Sequence, residues 1–249
     1  MRIIGVIPSR MASTRFPGKP LALIHGEPMI AHCARRSAGC RTLDALYIAT
    51  CDDEIRSAAE SIGVPAVMTA DTHERCTDRV AEAVLKIEDE SGERADIVVM
   101  IQGDEPMIRP EMIDEALAPM LADGSINLVN LMAPIESDEE HRDPNEVKVV
   151  VDSDNFALYF SREPIPTPRR GDVAGARWKQ VCVIPFRRDF LFEYSRTPPT
   201  PLEKIESVDM LRILETGGRV KMAPTRFRVR SVDTPEDLRA VERMMGNES

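Results

Sequence analysis

Three cations in one short loop are the residues of this chain best suited to binding a strongly anionic ligand. Arg10, Arg15 and Lys19 follow the apolar run at residues 3–7. That run predicts a strand, which would deliver the loop to the carboxyl edge of a sheet, where backbone amides and cations converge on anions. The loop is neither a Walker phosphate loop, because Pro20 stands where Ser or Thr should follow Gly-Lys, nor a GxGxxG turn. It predicts a triphosphate site of another kind, with a merely basic surface loop as the alternative.

Two acidic turns are candidates for holding a metal ion. Asp104 follows the apolar run at residues 97–102, which would place its carboxylate at the same sheet edge as the basic loop. Magnesium prefers oxygen ligands and takes one or two protein carboxylates when nucleotide phosphates fill other positions. Asp104 is therefore the first candidate ligand, with capping of the following turn as the alternative. Asp233, in the string VDTPEDL, is either a second ligand or only a helix-entry residue.

The elements that must position these groups alternate between strand and helix through the first half of the chain. The predicted strands are residues 2–8, 45–50, 65–68 and 97–102, and the predicted helices are residues 28–38, 53–62, 77–88 and 110–122. Such alternation predicts a mostly parallel sheet flanked by helices, with ligands at its carboxyl edge. The fold class is therefore α/β and Rossmann-like.

The second half of the chain has a different pattern. Successive predicted strands at residues 126–133, 147–152 and 157–161 indicate added antiparallel structure. Residues 162–177 are rich in Pro, Gly and charge, which favours a loop that is mobile or that orders on binding. A strand at 180–186, a helix at 202–215 and a helix from residue 235 complete the prediction. We expect one domain over residues 1–249, in which approximately residues 127–190 contribute a smaller part for dimerisation and acceptor binding.

Composition excludes several classes of partner. The 249 residues carry a net charge of −10, which repels nucleic acid and anionic membranes. No apolar run reaches the roughly 18 residues of a membrane helix, and the first residues form a strand pattern rather than a secretory signal. The five cysteines include no CxxC pair, so reduced thiols are expected. These features predict a cytoplasmic protein that binds small molecules.

Strings along nearly the whole chain resemble one enzyme family. They are IPSRMASTRFPGKPL, GEPMI, CTDRVAE, IQGDEPMI, DPNEVKVVVD, ALYFSREPIP, PLEKIE and VDTPEDL. The chain resembles the CMP-Kdo synthetases, which are 3-deoxy-manno-octulosonate cytidylyltransferases. The resemblance implies a homodimer that uses CTP and magnesium to place CMP on a sugar acid.

The resemblance also implies roles for individual residues. Catalysis would rest on Arg10 and Lys19, which grip the triphosphate, and on Asp104 and Asp233, which hold magnesium. The implied nucleotide-binding set is Pro8, Ser9, Arg10, Ser13, Arg15, Lys19, Thr50, Arg79 and Gln102. The acceptor-side set combines Gln102 and Arg162, which the resemblance implies, with Arg75, Gln180 and Asp209, which stand where this chain departs from the family pattern. In-line attack at the α-phosphorus needs positioning and charge neutralisation and no protein nucleophile.

Departures from the family pattern fall on the acceptor side. Gln180 stands at a His position, Ile184 and Phe186 replace tyrosines, Arg75 and Cys76 replace Ser and Gly, and Asp209 and Met210 replace Glu and Gln. Lost hydroxyl contacts and added cations leave two acceptors open, a sugar acid bound by a diverged pocket or a small phosphonate such as phosphonoformate. A third interpretation is a nucleotide-binding protein that has lost its chemistry.

Overall fold

The computed structural model describes residues 1–13, 15–167 and 177–246. Within these ranges the strands are β1 (Ile3–Pro8), β2 (Leu23–Ile24), β3 (Glu27–Pro28), β4 (Ala45–Thr50), β5 (Ala66–Met68), β6 (Ile97–Ile101), β7 (Val129–Pro134), β8 (Lys148–Val151), β9 (Ala157–Ser161), β10 (Trp178–Val181), β11 (Val183–Arg187) and β12 (Lys221–Pro224). The helices are α1 (Met29–Ala38), α2 (Asp53–Ser61), α3 (Cys76–Ser91), α4 (Pro110–Ala122), α5 (Asp138–Arg142), α6 (Arg188–Arg196), α7 (Pro201–Glu206), α8 (Met210–Glu215) and α9 (Pro235–Gly246).

The central sheet confirms the predicted α/β fold class. Its order in the described residues is β11-β6-β1-β4-β5, with β6, β1, β4 and β5 parallel and β11 antiparallel to β6. Strand β1 is buried along its whole length, because apolar side chains cover both faces of a parallel sheet. The carboxyl ends of β1 and β6 therefore lie side by side, which brings the basic loop next to Asp104.

A second sheet, in the order β12-β7-β10-β8-β9, holds the predicted antiparallel strands. The strand expected at residues 180–186 is in fact two strands, β10 in this sheet and β11 in the central sheet. The chain crosses between the sheets at Cys182, whose carbonyl accepts a hydrogen bond from the Gln102 amide at 3.0 Å. The two sheets are thus joined beside the end of β6. Of the loop predicted at residues 162–177, residues 168–176 lie outside the described residues.

The helix predicted at residues 202–215 is broken into α7 and α8. Ser207 ends α7 in the left-handed conformation, with φ 53°, and α8 begins three residues later at Met210. The apolar spacing is helical on both sides of the break, so the pattern alone predicted one helix. Helix α6 and strand β12 were missed altogether by the sequence prediction.

A buried ion pair fixes α7 against α8. Glu203 is 0% exposed and Arg212 is 2% exposed, and the guanidinium donates to both carboxylate oxygens at 2.6 and 2.7 Å. Arg212 also donates to the Thr197 carbonyl at 2.9 Å. This pair holds the helix break in position.

Replacing Arg212 with Met is expected to lower the free energy of unfolding by about 3 kcal/mol, because it leaves a buried carboxylate without its partner. Urea denaturation measures this change. The double variant R212M/E203L is the control, since removing both charges should cost less than removing one. Equal losses in the single and double variants would contradict the argument.

Candidate active site

The basic loop leaves β1 and lines a cavity of about 420 Å³, here called the loop cavity. The left-handed conformation of Gly18, with φ 72°, turns the chain into the short 3-10 helix Lys19–Leu21. The predicted residues that line this cavity are Pro8, Ser9, Arg10, Ser13, Arg15, Lys19, Arg75, Arg79, Gln102 and Asp104. The structure thus gathers most of the predicted nucleotide-binding set around one space.

Lys19 lies between the two carboxylates proposed as metal ligands. Its Nζ is 2.7 Å from Asp104 Oδ2 and 3.4 Å from Asp233 Oδ1, and it donates to the Val232 carbonyl at 2.8 Å. Arg15 Nη2 contacts the same Asp233 oxygen at 2.8 Å. Burial alone would lower the pKa of Lys19, but Asp104 and Asp233 raise it above its ordinary value. Asp104 and Asp233, which are far apart in sequence, therefore both contact the Lys19 ammonium group.

The donor set fits a divalent cation of the hard type. Asp104 Oδ1 is buried and has no hydrogen-bond partner among the described residues. Two carboxylates within reach of one point match the one or two that magnesium takes when phosphates supply other ligands. The described residues contain no cluster of three or more His, Cys, Asp or Glu side chains suited to a metal. A cation here would thus depend on ligands brought by the nucleotide.

Two further polar atoms of the loop cavity have no hydrogen-bond partner among the described residues. Ser9 Oγ and Arg79 Nη2 are buried, and neither forms a hydrogen bond within the described ranges. Arg79 is only 3% exposed and donates through Nη1 to Thr69 Oγ1 at 2.5 Å. Arg10 Nη1 donates to the His73 carbonyl at 3.2 Å, and Ser13 Oγ accepts from the Phe16 amide at 3.3 Å. Because unpaired buried donors are costly, these groups favour a polar ligand in the cavity.

Thr50 is placed differently from the rest of the nucleotide set. It ends β4 and is fully buried, and it is not among the described residues that line the loop cavity. Its hydroxyl accepts a hydrogen bond from the Asp52 amide at 3.1 Å. Asp52 in turn accepts from the Met11 amide at 2.8 Å. Thr50 is thus connected to the basic loop through Asp52, and its direct contact with a nucleotide stays a prediction.

A second cavity, of about 240 Å³, opens at the break between α7 and α8 and is here called the helix-break cavity. All of the predicted acceptor-side residues line it: Arg75, Gln102, Arg162, Gln180 and Asp209. Arg75, Gln102 and Asp104 line the loop cavity as well. The metal-ligand candidate therefore lies where the two cavities meet.

The cations on the acceptor side are largely neutralised by the protein itself. Arg75 Nη1 lies 3.1 Å from Asp209 Oδ1. Arg162 donates through Nε and both Nη atoms to the carbonyls of Glu206, Pro144 and Ser207. Lys179, which is outside the described lining of both cavities, is 3% exposed and pairs with Glu140 at 2.6 Å and Glu146 at 3.1 Å. The excess positive charge that favoured a phosphonate acceptor is thus mostly compensated.

Gln180, which lines the helix-break cavity, forms a hydrogen bond with a buried side chain of β7. Its Nε2 donates to Asn130 Oδ1 at 2.6 Å, and Asn130 donates to the Leu131 and Val181 carbonyls, each at 2.8 Å. Asn130 is fully buried in β7. The Gln180 amide is therefore held in one orientation, which suits a residue that presents a hydrogen bond to a ligand.

Glu105 and Asn145 are cavity residues that the sequence analysis missed. Burial, together with the negative charge of neighbouring Asp104, raises the pKa of Glu105 to about 8. Asn145 Oδ1 accepts from Arg15 Nη1 at 2.6 Å and so helps to orient that cation. Glu105 follows Asp104 directly, so its position next to a predicted ligand was a usable signal. No local pattern marks Asn145, because its contact with Arg15 depends on the tertiary fold.

Comparisons with known proteins find relatives over nearly the whole chain. A family model described as cytidylyltransferase matches residues 4–230. The chain is 44% identical to the 3-deoxy-manno-octulosonate cytidylyltransferase of Geobacter metallireducens, covering 98% of each chain. It is also 44% identical to the protein of the same name from Pelobacter propionicus, covering 96% of this chain and 95% of that one.

Solved structures extend the comparison. One, described as CMP:2-keto-3-deoxy-manno-octonic acid synthetase complexed with CTP, superposes with a TM-score of 0.90 at 37% identity and covers 100% of both chains. A cytidylyltransferase from Leptospira borgpetersenii, with a TM-score of 0.65 and 16% identity, shares the fold. Among the described residues, no helix is both long and apolar enough to cross a membrane.

Proposed function

This chain belongs to the cytidylyltransferase family, and we propose that it transfers CMP from CTP to 3-deoxy-manno-octulosonate in a magnesium-dependent reaction that releases pyrophosphate. The observation that carries the proposal is the cluster of Lys19, Asp104 and Asp233 at the junction of two cavities. One cavity is lined by cations and unpaired donors, as a triphosphate requires. The other is smaller and polar, as a sugar acid requires.

The reaction joins the contents of the two cavities. The acceptor's hydroxyl oxygen forms a bond to the α-phosphorus of CTP, the bond from that phosphorus to its bridging oxygen breaks, pyrophosphate leaves, and the hydroxyl proton passes to solvent. Arg10, Arg15 and Lys19 line the loop cavity and would neutralise the phosphates. Gln102 lines both cavities and would orient the two reactants towards each other.

Magnesium, when bound, supplies further charge neutralisation for the phosphates. Asp104 and Asp233 would hold it, because their oxygens surround one point now taken by the Lys19 ammonium. The ammonium and the Arg15 guanidinium are then free to contact phosphate oxygens. Asp104 and Asp233 would thus hold the metal, and Lys19 and Arg15 would neutralise the phosphates.

Pyrophosphate release from CTP tests the proposal, with 3-deoxy-manno-octulosonate and phosphonoformate offered separately. We expect turnover with the octulosonate, abolished by EDTA and restored by magnesium. Turnover with phosphonoformate alone would overturn the proposed acceptor while keeping the cytidylyltransferase activity. Nucleotide binding without turnover of either compound would favour the inactive binding protein. The homodimer, the cytoplasmic location and the extent of the domain stay predictions from the sequence.

A further inference from the structure

Arg75 occupies a special place between the two cavities. It precedes α3, lines both the loop cavity and the helix-break cavity, and has a side chain that is 28% exposed. Its guanidinium makes ion-pair contacts with Asp209 at 3.1 Å and with Glu203 at 3.8 Å. Glu203 already has a closer partner in Arg212, at 2.6 Å. Asp209 is therefore the main anchor of Arg75.

Each guanidinium has five N–H donors, and among those in the described lining of the helix-break cavity Arg75 has the most of them to spare. Arg162 uses all three of its side-chain nitrogens on backbone carbonyls. Arg15 uses both Nη atoms, on Asn145 and Asp233. Arg75 donates no hydrogen bond to any residue in the described part of the chain, and Asp209 faces it at one Nη atom alone. A planar guanidinium held at one edge presents its other donors to a ligand.

The described lining of the helix-break cavity carries more carboxyl groups than guanidinium groups. Its described lining carries the carboxyl groups of Glu74, Asp104, Glu105, Glu146, Asp209 and Asp233 against the guanidinium groups of Arg15, Arg75 and Arg162. Burial raises the pKa of Glu105, and Lys19 pairs with Asp104 and Asp233, so that the remaining negative charge of the lining is smaller than the number of carboxyl groups. A negatively charged acceptor therefore needs a cation that keeps free donors beside its contacts with the protein.

We propose that Arg75 determines specificity for the acceptor by binding the acceptor's carboxylate where the two cavities meet. This inference rests on the proposed function. In its ring form, a 2-keto sugar acid carries the carboxylate and the reacting hydroxyl on the same carbon. The carboxylate must consequently lie close to the α-phosphorus, at the boundary between nucleotide and acceptor. Arg75 is at that boundary, and two parallel hydrogen bonds from a guanidinium suit a carboxylate.

The test compares R75A, R75K and R75A/D209N with the unaltered chain, measuring KM separately for the octulosonate and for CTP. Loss of a charge-assisted contact is expected to raise the KM for the octulosonate about 10- to 100-fold in R75A, with the KM for CTP little changed. R75K should have a KM for the octulosonate between those of R75A and the unaltered chain, because lysine keeps the positive charge but cannot donate two parallel hydrogen bonds. R56A, an exposed arginine on α2, is the matched control.

The double variant separates binding from structure. If Arg75 merely neutralises Asp209, removing the charge of Asp209 should restore the octulosonate KM in R75A/D209N, and that result would overturn the proposal. An equal rise in the KM for CTP would overturn it too. A KM that stays high in the double variant, with an unchanged thermal midpoint, supports it. Should the unaltered chain turn over only phosphonoformate, the proposed function fails, and the same variants then test Arg75 on that compound's carboxylate.

Discussion

Asp104→Asn is expected to lower kcat for CMP transfer by about 1,000- to 10,000-fold while the fold stays intact. The carboxylate lies at the end of β6, with Oδ2 against Lys19 Nζ at 2.7 Å and Oδ1 buried without a partner among the described residues. Asparagine has the same shape but lacks the charge and the second hard oxygen that a divalent cation needs. Binding of the cation and of the triphosphate should therefore weaken together.

Pyrophosphate release at saturating CTP measures the loss, and a urea denaturation curve checks the fold. D114N is the matched control, because Asp114 binds Thr42 Oγ1 and is outside the described lining of both cavities. Undiminished turnover in D104N would rule out Asp104 as the metal ligand. The loss of turnover would instead be due to folding if the unfolding midpoint of D104N is shifted and turnover falls by the same fraction as the amount of folded protein.

The sequence predicted the parts of this molecule that depend on local pattern. Alternating apolar runs and helical segments sufficed for the parallel sheet, and the rule that ligands gather at its carboxyl edge placed Asp104 beside the basic loop. The meeting of Asp104 with Asp233 was an inference from the resemblance, and the structure brings both carboxylates within 3.4 Å of Lys19 Nζ. The fold class and the parallel polarity of β1, β4, β5 and β6 are thus readable from sequence, whereas the order of the strands is not.

Features that depend on tertiary contacts escaped prediction. The break at Ser207 leaves no trace in the apolar spacing, because α7 and α8 both continue a helical pattern around it. The crossing from β10 to β11 at Cys182 likewise looks like one continuous strand in sequence. The added positive charge of Arg75 favoured a phosphonate in the sequence, but Asp209 lies 3.1 Å from one of its Nη atoms and offsets part of that charge. Charges counted along a sequence do not reveal which of them the fold has paired.

Lys19→Met is expected to change metal binding and catalysis in opposite directions. In the free protein the Lys19 ammonium lies between Asp104 and Asp233, and these carboxylates raise its pKa, so it stays charged through the neutral range. Removing it frees two carboxylates, and a divalent cation should bind more tightly in the absence of nucleotide. Removing it also takes a cation from the triphosphate, and kcat/KM should fall about 1,000-fold.

Titration of the K19M variant with Mn²⁺, followed by electron paramagnetic resonance without CTP, measures the first effect, and pyrophosphate release measures the second. K204M, on the exposed side of α7, is the control for loss of a lysine charge. Weaker binding of Mn²⁺ in K19M would mean that the ammonium does not compete with the cation for these carboxylates. Tighter binding of Mn²⁺ together with slower transfer would show two roles for Lys19. It competes with the metal for the carboxylates in the free protein, and it contacts the phosphates in the complex. Binding of the metal and binding of the nucleotide are then linked through this one residue.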